Sequence, residues 1–251
     1  MFNMTPADKG SLTAKEGFKN EDDIVRKFND WKKDKDAQKW LVLMKYELSE
    51  IEYVEAVKIS GSKTDVQVQV TIKMIKVLDV QNLQVKLVSN PKGFNQIDKR
   101  WIDKYKEMWK IPDRVVDILK RYSGEIKPNI KDPIDKRRMF ANEFSTKEQD
   151  LLIKWIKKNQ ALIVADILKG QGKFAAEWML VAQKVDTNAR WVLKPMNFCM
   201  NYFGNGEICI SSRNNFRIGR ITMQRKGGDG GRNTANMLQF KINPAELFDV
   251  E

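Results

Sequence analysis

No histidine occurs anywhere in the 251 residues, and that absence removes more chemistry than any single motif adds. Ser-His-Asp and Cys-His nucleophile systems are excluded, as is any hydrolase that uses imidazole to activate water or attack phosphorus. Cysteine is nearly absent too. Cys199 and Cys209 cannot build a four-thiolate metal site, and without imidazole they have no partners for a mixed zinc site. They are read as reduced thiols in packed elements. Long apolar runs are also missing: nothing approaches the roughly 18 residues of a membrane span. The opening stretch MFNMTPADKG has no apolar segment that would mark secretion. The expectation is a cytoplasmic protein with no membrane partner.

Acid is the scarcer charge, with 33 Asp and Glu against 45 Lys and Arg and a formal net charge of +12. Such a surplus attracts a polyanion at long range and neutralises phosphates on contact, which makes nucleic acid the leading partner. A basic protein that is merely soluble is the plain alternative. If this chain cuts nucleic acid, metal ions and carboxylates must do the work that histidine cannot. Its hydrophobic share of 42% and charged share of 31% suit a packed globular protein. The length allows one large domain or a core with an elaboration.

Periodicity organises the chain. Asn20 with Asp23 three residues on reads as a helix N-cap, and Ile24, Val25, Phe28 and Trp31 follow at helical spacing, predicting a helix from about Glu21 to Lys32. Ala37, Trp40, Leu41 and Met44 predict a second. From Thr64 the period becomes two: Val66, Val68, Val70 and Ile72 alternate with Gln67, Gln69, Thr71 and Lys73, and Leu83, Val85 and Leu87 alternate with Gln84 and Lys86. A hairpin of adjacent strands results. Ile97, Trp101, Ile102, Tyr105, Met108 and Trp109 trace a helix, and Val115, Val116, Leu119 and Tyr122 trace another. Residues 123–135 hold Gly124, Pro128 and Pro133 and mark the expected boundary between a first part, 1–125, and a second part, 136–251, unless the two are continuous. Ser145 and Glu148 form a capping box for a helix through Ile156. Beyond it strands are expected near 178–185, 190–193, 207–210, 217–224 and 237–242, with a short helix near 197–203.

Asp65, Gln84 and Lys86 carry the candidate chemistry. Gln84 and Lys86 share one face of their strand, so a carboxylate, a neutral oxygen donor and an amine could converge on a phosphate. Phosphodiester hydrolysis needs hard oxygen ligands for Mg²⁺ and a cation near the charge that develops. Asp65, the Gln84 side-chain oxygen and the Val85 carbonyl would hold the metal, while Lys86 would orient water and stabilise charge. The spacing alone, with 18 residues between Asp65 and Gln84, fits equally a hairpin whose polar side chains face water.

The pattern T-D-x(18)-Q-V-K resembles the PD-(D/E)XK nuclease motif, with Thr64 where proline is common and Gln84 where a carboxylate is usual. Those departures are similar to one branch, the HinP-type type II restriction endonucleases that cut GCGC, and more distantly to the MspI-type enzymes that cut CCGG. The segments TAKEGFKNEDDI, NLQVKLVSN, GFNQIDK, EMWK, DKRRMF, FAAEWMLVAQKV and QRKGGDGGRNTANMLQFKINPAELFD carry the resemblance across nearly the whole chain. It implies an α/β fold with a central mixed β-sheet flanked by helices and a C-terminal DNA-recognition elaboration. It also implies one or two Mg²⁺ ions and double-stranded DNA as substrate. A monomer or homodimer is expected, with a cognate DNA methyltransferase in the same system but not in a stable complex. A structure-directed repair nuclease on the same core and a catalytically silent DNA-binding protein are the rival readings.

With a carboxylate missing at Gln84, Glu21 is the candidate for a further metal ligand, although an acid there also suits the first turn of a helix. In the segment after the catalytic strand, Phe94 either wedges between base steps or packs under the next helix as a staple. Asn95 and Gln96 can read base edges, and Lys99 can reach a phosphate or guanine. Gln224, Arg225, Lys226 and Arg232 flank a glycine-rich loop that lets backbone approach DNA, and Gln239 and Lys241 follow in the same densely matching segment. A plain basic turn is the alternative for that loop. Lys136, Arg137 and Arg138 suit phosphates or solvent better than bases.

Overall fold

The computed structural model describes residues 6–60, 66–75, 77–90, 93–185, 188–228 and 231–250, and the side chains of all of these except 6–14, 60, 66 and 67. In chain order the elements are α1 (Pro6–Asn29), α2 (Lys35–Leu43), β1 (Ile51–Ser60), β2 (Val66–Met74), β3 (Leu78–Val88), β4 (Asn95–Arg100), α3 (Ile102–Trp109) and α4 (Asp113–Ser123). They continue as α5 (Thr146–Leu168), β5 (Trp178–Val185), β6 (Asn188–Pro195), α6 (Met196–Gly204), β7 (Ile208–Ile210), β8 (Phe216–Ile218), β9 (Ile221–Arg225) and β10 (Leu238–Ile242). The chain divides into two compact units. The first holds Ser11–Asn95, Lys169–Cys199 and Asn243–Glu251, and the second Met1–Gly10, Gln96–Leu168 and Met200–Ile242.

The first unit is built on a mixed sheet in the order β1-β2-β3-β5-β6. Its pairs are antiparallel except β3 with β5, which run parallel. Alternation in β2 puts Val68, Val70 and Ile72 on one face, and the register Val68↔Leu83 puts Leu83 and Val85 there too. That face is covered by Ile24 and Phe28 of α1, Trp31 beyond it, and Ala37, Trp40 and Leu41 of α2, all buried in one core. The Phe28 and Trp40 rings lie 5.3 Å apart. Asp34 starts α2 by accepting hydrogen bonds from the Asp36 and Ala37 amides. Asn29 clips α1 to β1 through both polar groups of the Ala56 backbone, at 2.7 and 3.2 Å.

The second unit carries a sheet in the order β4-β10-β9-β8-β7. Tyr105 stacks on Trp109 at 4.6 Å, and both meet Phe240 of β10 edge-on. The buried Trp109 indole donates to the Asp166 carboxylate of α5 at 2.8 Å. Ser145 and Glu148 form the expected capping box at the head of α5. Residues 124–145 connect α4 to α5 within this unit.

Several elements differ from their predicted form. The first helix begins at Pro6, so Asn20 lies inside α1 and is buried instead of capping it. The stretch before Asn20 contains Ala14, Lys15, Glu16 and Lys19, good helix formers that carry the helix past a local capping signal. Ile97 belongs to a strand, β4, and the helix starts only at Ile102 after Trp101 in extended conformation. The expected strand over 217–224 is two strands turning at Gly219, whose φ of +55° and approach to the Asn205 carbonyl, 2.6 Å from where a Cβ would sit, admit only glycine. β1 was not anticipated. Cys199 is a buried thiol whose pKa burial pushes up to about 12, consistent with a packing role.

Phe28→Ala is expected to lower the free energy of unfolding by about 3–5 kcal/mol, measured by urea denaturation. A loss below about 1 kcal/mol would show that α1 does not anchor the core.

Candidate active site

β3 carries the site. Leu83 and Val85 are committed to the core, so the pleat turns Gln84 and Lys86 to the other face. The parallel register sets Gln84 beside Met179 and Lys86 beside Val181 of β5, both fully buried. Gln84 is 1% exposed and Lys86 6%, so an amide and an ammonium sit against apolar walls.

Along the same face, Asn82 accepts from Gln69 and donates to the carbonyls of Lys173 and Ala175. Gln84 Oε1, two residues on, has no hydrogen-bond partner among the described residues. A buried carbonyl oxygen left in that state costs about 1–3 kcal/mol, which a hard cation would offset by taking the oxygen as a ligand. The Val85 side chain packs in the core, so the residue has only its backbone carbonyl to offer.

Asp65 lies outside the described residues. Glu21 sits on α1, 9% exposed. Among the described residues no group of three or more His, Cys, Asp and Glu side chains comes together. A metal held beside Gln84 would therefore draw on amide and peptide oxygens as well as carboxylates. The donor set fits Mg²⁺, which prefers oxygen.

The remaining candidates divide between the units. In the first unit Phe94 is 51% exposed, which favours the wedge over the buried staple. Asn95 bonds back to the Gly93 carbonyl at 3.3 Å. In the second unit Gln96 and Lys99 are half-buried on β4. Arg225 ends β9, with its guanidinium bonded to Asn236 Oδ1 at 2.7 and 3.2 Å. Lys226 and Gly227 close the loop through backbone bonds to Met237 and Ala235. Gln224 is half-buried and Arg232 exposed. Gln239 is buried and donates to the Lys226 carbonyl, so its amide supports the loop from beneath. Lys241, paired with Thr222, has its pKa pushed down by burial.

Asp98 escaped the sequence reading. It is 3% exposed, accepts from the Tyr105 hydroxyl, and takes both Nε and Nη2 of Arg100 at 3.2 Å. The Asp-x-Arg spacing on one strand face was visible, but only once 95–100 is a strand.

The chain thus has an α/β fold with a mixed sheet, one strand of which carries a buried amide and a buried lysine on one face. The structure resembles the crystal structure of the restriction endonuclease MspI in complex with its cognate DNA, with a TM-score of 0.63 and 14% identity over 95% of this chain and 93% of that one. Residues 44–248 match the family model for the R.HinP1I restriction endonuclease. The chain therefore belongs to the R.HinP1I restriction endonuclease family and, with it, to the type II site-specific deoxyribonucleases. No curated protein matches it. Among the described residues no helix is long and apolar enough to cross a membrane.

Phe94→Ala is expected to change unfolding stability by no more than about 0.5 kcal/mol, as at other exposed positions. A loss of about 3 kcal/mol or more in the same denaturation assay would restore the staple.

Proposed function

We propose that this chain hydrolyses both strands of duplex DNA at a short GC-rich palindrome, GCGC, leaving 5′-phosphate and 3′-hydroxyl ends. The reading rests on family membership, and the observation that carries it is the buried Gln84 oxygen, which has no hydrogen-bond partner among the described residues, two residues before Lys86 on one strand face. Asp65, the Gln84 side-chain oxygen, the Val85 carbonyl and Glu21 hold one or two Mg²⁺ ions. When bound, Mg²⁺ supplies the positive charge that polarises the phosphate oxygens. Lys86 orients the attacking water with its N–H donors and balances the negative charge that grows on the phosphate. Its apolar neighbours Met179 and Val181 lower the local dielectric and strengthen that interaction.

Hydrolysis is the work of the unit that carries β3, and reading falls largely to the unit that carries β9 and β10. Phe94 wedges at a base step while Asn95, Gln96 and Lys99 meet base edges and phosphate. Gln224, Arg225, Lys226 and Arg232 approach guanine-rich DNA, with Gln239 and Lys241 supporting that edge. The enzyme acts in the cytoplasm as a monomer or homodimer, and a cognate methyltransferase in the same system shields host DNA.

Asp65→Ala abolishes Mg²⁺-dependent plasmid cleavage while leaving DNA binding intact, and Lys86→Ala lowers kcat by about 10²–10³-fold. Undiminished cutting by Asp65→Ala would sink the site. Mapping the ends of a sequenced plasmid digest tests the rest. Cleavage confined to GCGC supports the reading, unsited cleavage points to a structure-directed nuclease, and no cleavage with Mg²⁺ or Mn²⁺ points to a silent DNA-binding protein.

A further inference from the structure

Gly124, at the C-terminal end of α4, is hemmed in by groups that the sequence separates widely. A Cβ there would meet the Arg137 carbonyl oxygen at 2.8 Å, Arg225 Nε at 3.3 Å and Asn236 Oδ1 at 3.3 Å. The 135–138 turn, the end of β9 and the turn after the glycine-rich loop therefore close on one point, within one unit. They set the Arg225 side chain beside the turn that carries Arg137 and Arg138. Burial and the neighbouring Arg137 and Arg138 both lower the pKa of Arg225, and burial lowers that of Arg138.

Two carboxylates stand beside these arginines, and the hydrogen-bonding oxygens of both are engaged. Asp135 is taken up by Arg137, accepting from Nε and Nη2 at 2.9 Å each, and those hydrogen bonds hold its carboxyl down at about 2. Glu143, which also acts on Arg138, accepts from the Ile134 and Phe140 amides with its two oxygens. Arg225 is held by an uncharged partner, Asn236. Arg138 lies 4.0 Å over the Phe140 ring, and no hydrogen bond from its side chain occurs among the described residues. A guanidinium offers five N–H donors, and here most of them are unspent. Gathering like charges opposes folding unless an anion comes to them.

We propose that Arg137, Arg138 and Arg225 form one preorganised site for a backbone phosphate of duplex DNA, with Asp135, Asn236 and the Phe140 ring fixing the three guanidinium planes. The proposal rests on the DNA-cleaving reading above only in taking duplex DNA as the ligand. It gives Arg225 a sequence-independent role, in place of reading a base.

The test is fluorescence anisotropy with short labelled duplexes, one containing GCGC and one lacking it, without divalent metal so that nothing is cut. Arg138→Gln and Arg137→Gln each weaken binding to both duplexes by the same factor. Each also reduces the slope of log affinity against log salt by about 0.9, the value for one lost phosphate contact. Arg138→Lys restores the slope, because charge and not packing on Phe140 sets it. If Arg138→Gln melts at a lower temperature, Arg137→Gln, whose side chain is 71% exposed, carries the comparison alone. A loss confined to the GCGC duplex would make the cluster a base reader and overturn the proposal, and so would an unchanged slope. A wild-type protein that cuts no plasmid yet gives these slopes would sink the hydrolase reading and leave the phosphate site standing.

Discussion

The antiparallel register of β2 against β3 is the constraint on which the site depends. With Val68 opposite Leu83, the apolar residues of both strands face α1 and α2, and the pleat leaves Gln84 and Lys86 no choice of face. A slip of one residue would send Leu83 and Val85 to the catalytic side and bury an ammonium in the aromatic core. The same hydrophobic burial that stabilises the first unit thus aims its chemistry. The parallel strand β5 completes the arrangement by walling the polar pair with Met179 and Val181.

Polar satisfaction separates support from function along that face. Asn82 has both its side-chain donors and its side-chain oxygen engaged, by the 173–175 backbone and by Gln69, which fixes the stretch of β3 leading to Gln84. Gln84 next to it keeps an oxygen in reserve. The second unit shows the same division: Gln239 is spent beneath its loop, while the arginines around Gly124 keep donors unspent.

The hairpin of β2 and β3 was legible because period-two alternation over 66–72 and 83–87 is a local signal: Val68, Val70, Ile72, Leu83 and Val85 are buried, and Leu87 is half-buried. The two helices after it and the capping box of α5 were legible for the same reason. Asn20 misled because a capping sequence looks alike at the start and in the middle of a helix, and only the residues upstream decide. Ile97 and Trp101 fell at helical spacing by coincidence, and pairing of their segment beside β10 overrode it. Sequence periodicity could not reveal the arginine cluster, because 124, 137, 225 and 236 meet through tertiary closure alone. The missing histidine narrowed the chemistry without locating it.

The parallel pairing of β3 with β5 has a further cost in assembly. Asn82 and Glu177 bond across a sequence separation of 95 residues, and most of the intervening chain belongs to the other unit. Each unit is assembled from three separate stretches, so neither exists as a contiguous fragment that could be cut out and refolded. Contacts of that range are slow to form, since a long loop must close before any strand pairing rewards it. Until β5 has been made, the backbone edge of β3 that will pair with it has no strand partner.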